Sequence, residues 1–218
     1  MPTSTAPPTA LLPPGPAQAD RLIALGVHGI AGLTARDLRA AAGRLAPGAL
    51  LVPHPDRAPA SALTPLLALD GRPGFVVSDM TDVDGFLPAG PVDVHEDPLY
   101  AVDGLDRGDA LRNRSPDEAL PEITGAGRTP LTLGEGIAWL LQCPDVLART
   151  ACFMTIGSRM RKPDGRLDAR TPALWISNGT GRDGRERRGA PKVGWCWAGN
   201  RHTWLGFASA VARGPIVG

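Results

Sequence analysis

Glycine and proline are the residues that most restrict how this chain can fold. The sequence has 27 Gly and 23 Pro among its 218 residues, and both residue types interrupt regular secondary structure. Helices and strands must therefore be short, and the loops that join them must be numerous. Because binding and catalytic residues concentrate in loops, this chain offers many places for a functional site.

Three helix starts are indicated by their capping residues. Thr34, Ser115 and Thr132 are each followed three residues later by an acidic residue, and this spacing is typical of a capping box. Leu22 and Ile23 belong to a further apolar stripe at helical spacing, which predicts a helix near the N-terminus.

Short apolar runs bounded by Gly, Pro, Asn and Asp predict the strands. The runs are at 49–52, 74–77, 99–102, 152–156, 173–176, 193–197 and 204–207. The last four are rich in aromatic residues and are separated by hairpin-length links, which predicts an antiparallel sheet. Since helices come first and strands afterwards, the pattern predicts an α+β fold, with N-terminal and central helices packed on one face of a mainly antiparallel C-terminal sheet.

The composition predicts one domain behind a Pro-rich arm. Residues 1–16 carry no charge and few groups that a core could bury, so we expect a disordered arm. Residues 17–218 form the single α+β domain. Within it we expect a helical lead-in at 17–70, a mixed segment at 71–150 and the antiparallel sheet at 151–212.

Charge and cysteine content narrow the partners and the compartment. The net charge of +1 provides no field that would hold a nucleic acid. An odd number of cysteines without a C-x-x-C pair argues against disulfides and a zinc site. We find no signal peptide or membrane segment, so we expect a cytoplasmic protein with no membrane partner. No motif indicates a cofactor or a metal, and a homodimer or a protein partner stays open.

Residues 190–206 concentrate the unusual chemistry, with three of the five Trp, a Cys, a Lys and a His. Strand alternation places Trp195 and Trp197 on one face, and Lys192 and Cys196 on the other. Gly194 leaves a gap between the latter two. The two indoles are typical of a core or of a ligand platform.

Cys196 and His202 are the candidate catalytic pair. An imidazole within hydrogen-bond reach favours the thiolate, so the two side chains would act as nucleophile and base. The alternative is that Cys196 is a small buried hydrophobic residue and that His202 caps a turn.

Further candidates for substrate binding surround this pair. They are Arg159, Trp175, Lys192, Trp195, Trp197, Asn200, Trp204, Glu135, Asp106 and Arg107. Four indoles would wall a pocket, and Arg159 and Lys192 would hold a carboxylate or phosphate. Each has a structural alternative: exposed basic residues are usually solvated, Glu135 occupies a capping position, and Asp106 and Arg107 fit a turn or a salt bridge.

The C-terminal half contains a series of distinctive blocks: SPDEALP (115–121), GEGIA (134–138), CFM (152–154), GSR (157–159), PALWIS (172–177) and PKVGWCWAGN (191–200). In these blocks the chain resembles a family of unknown function, number 5701, that is found mostly in actinobacteria. The similarity runs from about Gly71 to Ser209. In the family's form a short turn joins the strands at Trp175 and Trp195, whereas this chain inserts Thr180 to Arg188. The resemblance implies no catalytic residues.

Two functions from different classes follow from these observations. The leading hypothesis is a small-molecule-binding protein with a Trp-lined pocket for an anionic organic metabolite, which as an enzyme would act through Cys196 and His202. The alternative is a non-catalytic interaction module that contacts another protein through the Pro-rich arm and the basic insertion at 180–188.

Overall fold

A computed structural model describes residues 11–216, except for the side chain of Arg182. Residues 1–10, the larger part of the expected disordered arm, lie outside the described residues. The expectation that the arm continues to residue 16 is corrected, because the first helix begins at Gly15. Pro16 lies in its first turn, where proline has the required backbone angle and no amide hydrogen that needs a partner.

The elements of the described segment are short, as the content of Gly and Pro predicts. The helices are α1 (Gly15–Ala24), α2 (Val27–Ile30), α3 (Ala35–Ala42), α4 (Ala60–Leu63), α5 (Pro116–Gly125) and α6 (Leu133–Gln142). The strands are β1 (Leu50–Pro53), β2 (Ala68–Leu69), β3 (Arg72–Pro73), β4 (Phe75–Val76), β5 (Leu87–Pro88), β6 (Leu99–Asp103), β7 (Thr129–Pro130), β8 (Cys152–Met154), β9 (Ser158–Arg159), β10 (Arg170–Ile176), β11 (Pro191–Trp197), β12 (Leu205–Phe207), β13 (Ser209–Ala210) and β14 (Ala212–Gly214).

The α+β class and the three capping boxes predicted from the sequence are confirmed. Thr34, Ser115 and Thr132 each accept a hydrogen bond from the backbone amide three residues later, and the acidic side chain at that position bonds back to the cap. Within residues 11–216, no helix is long and apolar enough to cross a membrane.

Two main sheets contain most of the longer strands. A three-stranded antiparallel sheet has the order β1-β6-β14, and a five-stranded sheet has the order β12-β8-β10-β11-β4. In the larger sheet β8, β10 and β11 are antiparallel as predicted. Its edge strands β4 and β12 instead pair in parallel with β11 and β8. The chain that leaves β11 crosses the sheet before β12, so β12 joins β8 rather than forming a hairpin with β11.

Helix α6 contacts strands of both sheets and forms the centre of the core. It contacts β1 of the smaller sheet and β10 of the larger one. Every residue of α6 is buried except Gly134, and the Trp139 ring lies 5.6 Å from that of Phe153 on β8. Helix α6 thus packs on the larger sheet as predicted, and it also contributes to the core beside the smaller sheet.

A buried polar cluster ties the start of α6 to the smaller sheet. Glu135 is fully buried, and its carboxylate accepts hydrogen bonds from Arg213 Nε at 2.8 Å, Tyr100 Oη at 3.2 Å and the Thr132 amide at 2.8 Å. Arg213 also donates to Thr129 Oγ1 and the Pro130 carbonyl. Burial and the adjacent Glu135 carboxylate raise the pKa of Tyr100 well above its ordinary value, so its hydroxyl remains a donor.

We predict that Glu135→Gln lowers the free energy of unfolding by about 3 kcal/mol or more, because Arg213 stays buried without its counter-charge. The measurement is urea denaturation followed by circular dichroism. The matched control is Glu122→Gln, which breaks the half-exposed pair between Arg114 and Glu122 and should cost less than about 1 kcal/mol. Equal losses in the two variants would refute the importance of the buried cluster.

Candidate functional site

The register of the larger sheet decides which candidate side chains share a face. Trp175 pairs with Lys192 and Trp195 pairs with a residue three positions before Trp175. Because side chains alternate along a strand, Trp175, Lys192 and Cys196 lie on one face, and Trp195 and Trp197 lie on the other. The predicted alternation within β11 is confirmed, but the four indoles do not wall a single pocket.

The gap that Gly194 leaves on the first face is filled by Trp175. A Cβ atom at Gly194 would lie 2.5 Å from Trp175 Cη2 and 3.1 Å from Val77 Cγ1. Trp204 meets Trp175 edge to face with a centroid distance of 6.2 Å, and His202 lies 5.6 Å from Trp204. Gly194 therefore accommodates the chain's own indole, and the rings form a continuous row.

The second face carries the other two indoles towards solvent. The rings of Trp195 and Trp197 are 4.6 Å apart, and the Arg170 guanidinium lies 6.0 Å from the Trp195 ring. Arg170 is itself held by hydrogen bonds to Asp82 and Asp168. Trp197 is 48% exposed, so this end of β11 is neither fully core nor an enclosed pocket.

Cys196 and His202 are not joined by a hydrogen bond in the structure. His202 Nε2 is buried without a partner, and burial lowers the pKa of this imidazole. Burial raises the pKa of Cys196 to about 11, although the charge of Lys192 acts in the opposite direction. An activated cysteine needs a lowered pKa, so the environment of this thiol is the opposite of what the nucleophile hypothesis requires.

The two basic candidates have partners within the chain. Lys192 Nζ lies 2.5 Å from Asp183 Oδ2, and both side chains are about one-tenth exposed. Arg159 donates to the carbonyl of Asp168 at 2.7 Å, while its Nε is buried without a partner. Asn200 is exposed in the turn after β11. The structure therefore does not gather these three groups around one ligand.

Structural roles account for the acidic candidates and for Arg107. Glu135 belongs to the buried cluster with Arg213. Asp106 accepts a hydrogen bond from the Gly108 amide at 2.8 Å, which closes a turn. Arg107 pairs with Asp109 and donates to a backbone carbonyl. Within the described part of the chain, no group of three or more His, Cys, Asp or Glu side chains could hold a metal ion.

A small cleft lies at the N-terminus of α6. Its walls come from the segment before and at the start of α4, the turn Val83–Gly85, β5, the first residues of α6 and β9. The lining residues are Pro55, Ala58, Pro59, Ala60, Val83, Asp84, Phe86, Leu87, Pro88, Thr132, Leu133, Gly134 and Ser158. Most of these residues are apolar, and we call this concavity the α6 cleft.

Two hydrogen-bond donors line the α6 cleft without an acceptor. Ser158 is 1% exposed, and its Oγ accepts a bond from the Leu133 amide at 2.9 Å. Among the described residues, no group accepts the hydrogen of the Ser158 hydroxyl or of the Gly134 amide. The space beside Gly134 is open, because apart from its own stretch of helix no atom lies within 4 Å of the position that a Cβ would take. The Gly134 amide is one of the first-turn amides that a helix leaves without an internal partner, so both donors are available to a ligand that accepts from them.

Asp84 is the charged residue of the α6 cleft. Its carboxylate accepts bonds from the amide of Ser61 at 2.8 Å and from the hydroxyl of the same residue at 2.6 Å. The cleft therefore has a negative side at Asp84 and a donor side at Gly134 and Ser158, where the positive end of the α6 dipole also lies.

Sequence reasoning missed both donors of the α6 cleft, although one signal was present. The capping box at Thr132 marks where α6 begins, and a glycine in the first turn of a buried helix leaves its amide accessible. The approach of Ser158 to this helix end depends on the position of β9, for which the sequence contains no signal.

Comparison with known proteins finds a family but no characterised relative. A family model described as a family of unknown function, DUF5701, matches residues 21–216. No curated protein and no solved structure matches the chain.

We predict that Cys196 reacts slowly with iodoacetamide near neutral pH. With a pKa of about 11, only about one molecule in 3,000 carries the thiolate at pH 7.5. The labelling rate, measured by peptide mass spectrometry, should rise about tenfold per pH unit from 7 to 10. The urea-unfolded chain provides the unperturbed reference. A rate that levels off near pH 7, and that falls in His202→Ala, would restore the catalytic pair.

Proposed function

The chain belongs to the DUF5701 family of unknown function, and we propose that it is a small-molecule-binding protein whose ligand occupies the α6 cleft. The observation that supports this proposal is the presence of two donors, the Gly134 amide and the Ser158 hydroxyl, without acceptors in a largely apolar concavity. Ligand sites commonly combine apolar walls with a few polar groups that fix orientation.

The chemistry of the walls favours an organic molecule with an apolar body and one anionic group. A carboxylate or phosphate would accept from Gly134 and Ser158, where the N-terminus of α6 favours negative charge. Asp84 disfavours a second anionic group on its side of the cleft. The apolar body would then lie against Phe86, Leu87 and the prolines.

This proposal does not include catalysis by Cys196 and His202. Neither residue lines the α6 cleft, and the thiol is held in its protonated form. The enzymatic hypothesis therefore stays a prediction without support from the geometry. We propose that the protein acts in the cytoplasm, since Cys143, Cys152 and Cys196 are free thiols and reduced thiols are typical of that compartment.

The interaction-module hypothesis also stays a prediction. Most of the Pro-rich arm lies outside the described residues. The insertion at 180–188 carries Asp183, whose carboxylate bonds with Lys192 of the same chain. A partner for this segment would have to use its exposed arginines or displace it from the sheet.

The test uses 8-anilinonaphthalene-1-sulfonate, a probe with an apolar body and one anionic group. Gly134→Leu should fill the α6 cleft and weaken binding of the probe by about tenfold or more, which is about 1.4 kcal/mol. It should also leave the fold intact, because leucine is favoured over glycine in a helix by about 0.8 kcal/mol. Fluorescence titration and thermal denaturation provide the two readouts.

The control is Gly125→Leu at the end of α5, where a side chain also meets open space but no part of the α6 cleft. Ser158→Ala should weaken binding by about fivefold through the loss of one hydrogen bond. Native mass spectrometry of protein from its own host should show a bound organic molecule that Gly134→Leu lacks. Unchanged probe affinity in both cleft variants would exclude the α6 cleft as the site.

A further inference from the structure

The carboxylate of Asp183 occupies a site that three groups of the larger sheet form. Its Oδ2 accepts from Lys192 Nζ at 2.5 Å and from Ser177 Oγ at 2.7 Å. Lys192 Nζ in turn lies 4.8 Å from the centroid of the Trp175 ring. Trp175 and Lys192 are directly paired on β10 and β11, and Ser177 follows the end of β10. A cation and a hydroxyl thus bind one carboxylate, and an aromatic ring lies beside the cation.

The backbones that carry these three groups are held by pairing within the sheet rather than by Asp183. Ser177 is fully buried, and its backbone pairs with Ala190 and Gly189. Trp175 lies over Gly194 and is contacted on another side by Trp204. A preorganised group of this kind retains its geometry when the carboxylate is exchanged, and preorganisation favours affinity.

Asp183 belongs to a segment whose two ends are suited to movement. We call residues 180–188 the strap, and Gly179 and Gly189 flank it. Gly179 and Gly189 have φ values of +69° and +85°, which glycine adopts without strain and which allow the chain to reorient. Between them the strap contains two single-turn 3-10 helices and several exposed arginines. A second contact to the sheet is made by Arg187, whose guanidinium lies 4.4 Å from the Phe75 ring.

The energetics of the ion pair favour exchange. Asp183 and Lys192 are both nearly buried, and the desolvation of two charges offsets most of their attraction. Removing Asp183 alone would leave the lysine uncompensated and is unfavourable. Replacing Asp183 by another carboxylate restores the pairing. The main advantage of Asp183 over a free carboxylate is therefore the high effective concentration that its tether to the chain provides.

We propose that Asp183 is the internal occupant of a carboxylate-binding site, and that a planar organic carboxylate takes its place and releases the strap. The ligand's carboxylate binds Lys192 and Ser177, and its planar body lies along the Trp175 ring. None of these residues lines the α6 cleft. The site is therefore independent of the proposed function, and the Gly134→Leu variant that blocks the α6 cleft leaves it intact.

The first experiment uses the unmodified chain, benzoate and trypsin. The strap exposes Arg185, Arg187 and Arg188, so its release creates cleavage sites. We expect benzoate to accelerate cleavage within the strap in a saturable manner, while benzamide at matched ionic strength does not. No acceleration by benzoate up to its solubility limit would overturn the proposal.

The second experiment removes the internal competitor. In the unmodified chain, benzoate can bind only those molecules in which Asp183 has left the site, and this lowers the apparent affinity. Asp183→Asn should therefore bind benzoate about tenfold or more tightly than the unmodified chain, as measured by calorimetry. Its strap should also be cleaved faster. Glu186→Gln is the control, since it removes a strap carboxylate that does not contact Lys192.

Lys192→Met in the Asp183→Asn background should abolish benzoate binding, since it removes the cation of the site. Two outcomes would overturn the proposal: faster strap cleavage in Asp183→Asn without tighter benzoate binding, or benzoate binding that survives the loss of Lys192. In the first case the ion pair is only a structural tie. In the second case benzoate binds elsewhere. Loss of benzoate binding in Gly134→Leu would then place the benzoate in the α6 cleft.

Discussion

The fold depends on the burial of Glu135 against Arg213 at the start of α6. A charged pair in a core is retained only when every hydrogen bond is made, and here Tyr100, Thr132 and Thr129 complete the set. The pair fixes where α6 begins relative to β6 and β14. Because the rest of α6 contacts both sheets, this position also determines how the sheets lie with respect to one another.

The α6 cleft is a consequence of the same arrangement. The carboxylate of Glu135 faces the core and bonds with the Thr132 amide, while Gly134, its neighbour, is the residue of α6 that is not buried. The helix end is thus anchored on its inner side and open on its outer side. An anchored helix end with a free amide is suited to bind a ligand because its donors are positioned before binding.

Local features could be predicted from the sequence, and relations between distant segments could not. The capping boxes at Ser115 and Thr132 and the alternation within β11 depend on residues a few positions apart, and the structure contains them. The pairing of β12 with β8 and the filling of Gly194 by Trp175 depend on register between strands, which alternation does not determine. The same is true of the approach of Ser158 to α6. The composition of residues 190–206 indicates Cys196 as a candidate nucleophile. The burial that raises the pKa of this thiol depends on packing, which the composition does not contain.

The most direct test of the central claim is the ¹⁵N–¹H correlation spectrum of the full chain during titration with 8-anilinonaphthalene-1-sulfonate. If the ligand's anionic group accepts from the start of α6, the Gly134 amide resonance should move downfield in a saturable manner and by more than any other α6 amide. A saturable titration in which the Gly134 resonance does not move, while amides outside the α6 cleft do, would place the ligand elsewhere and contradict the account.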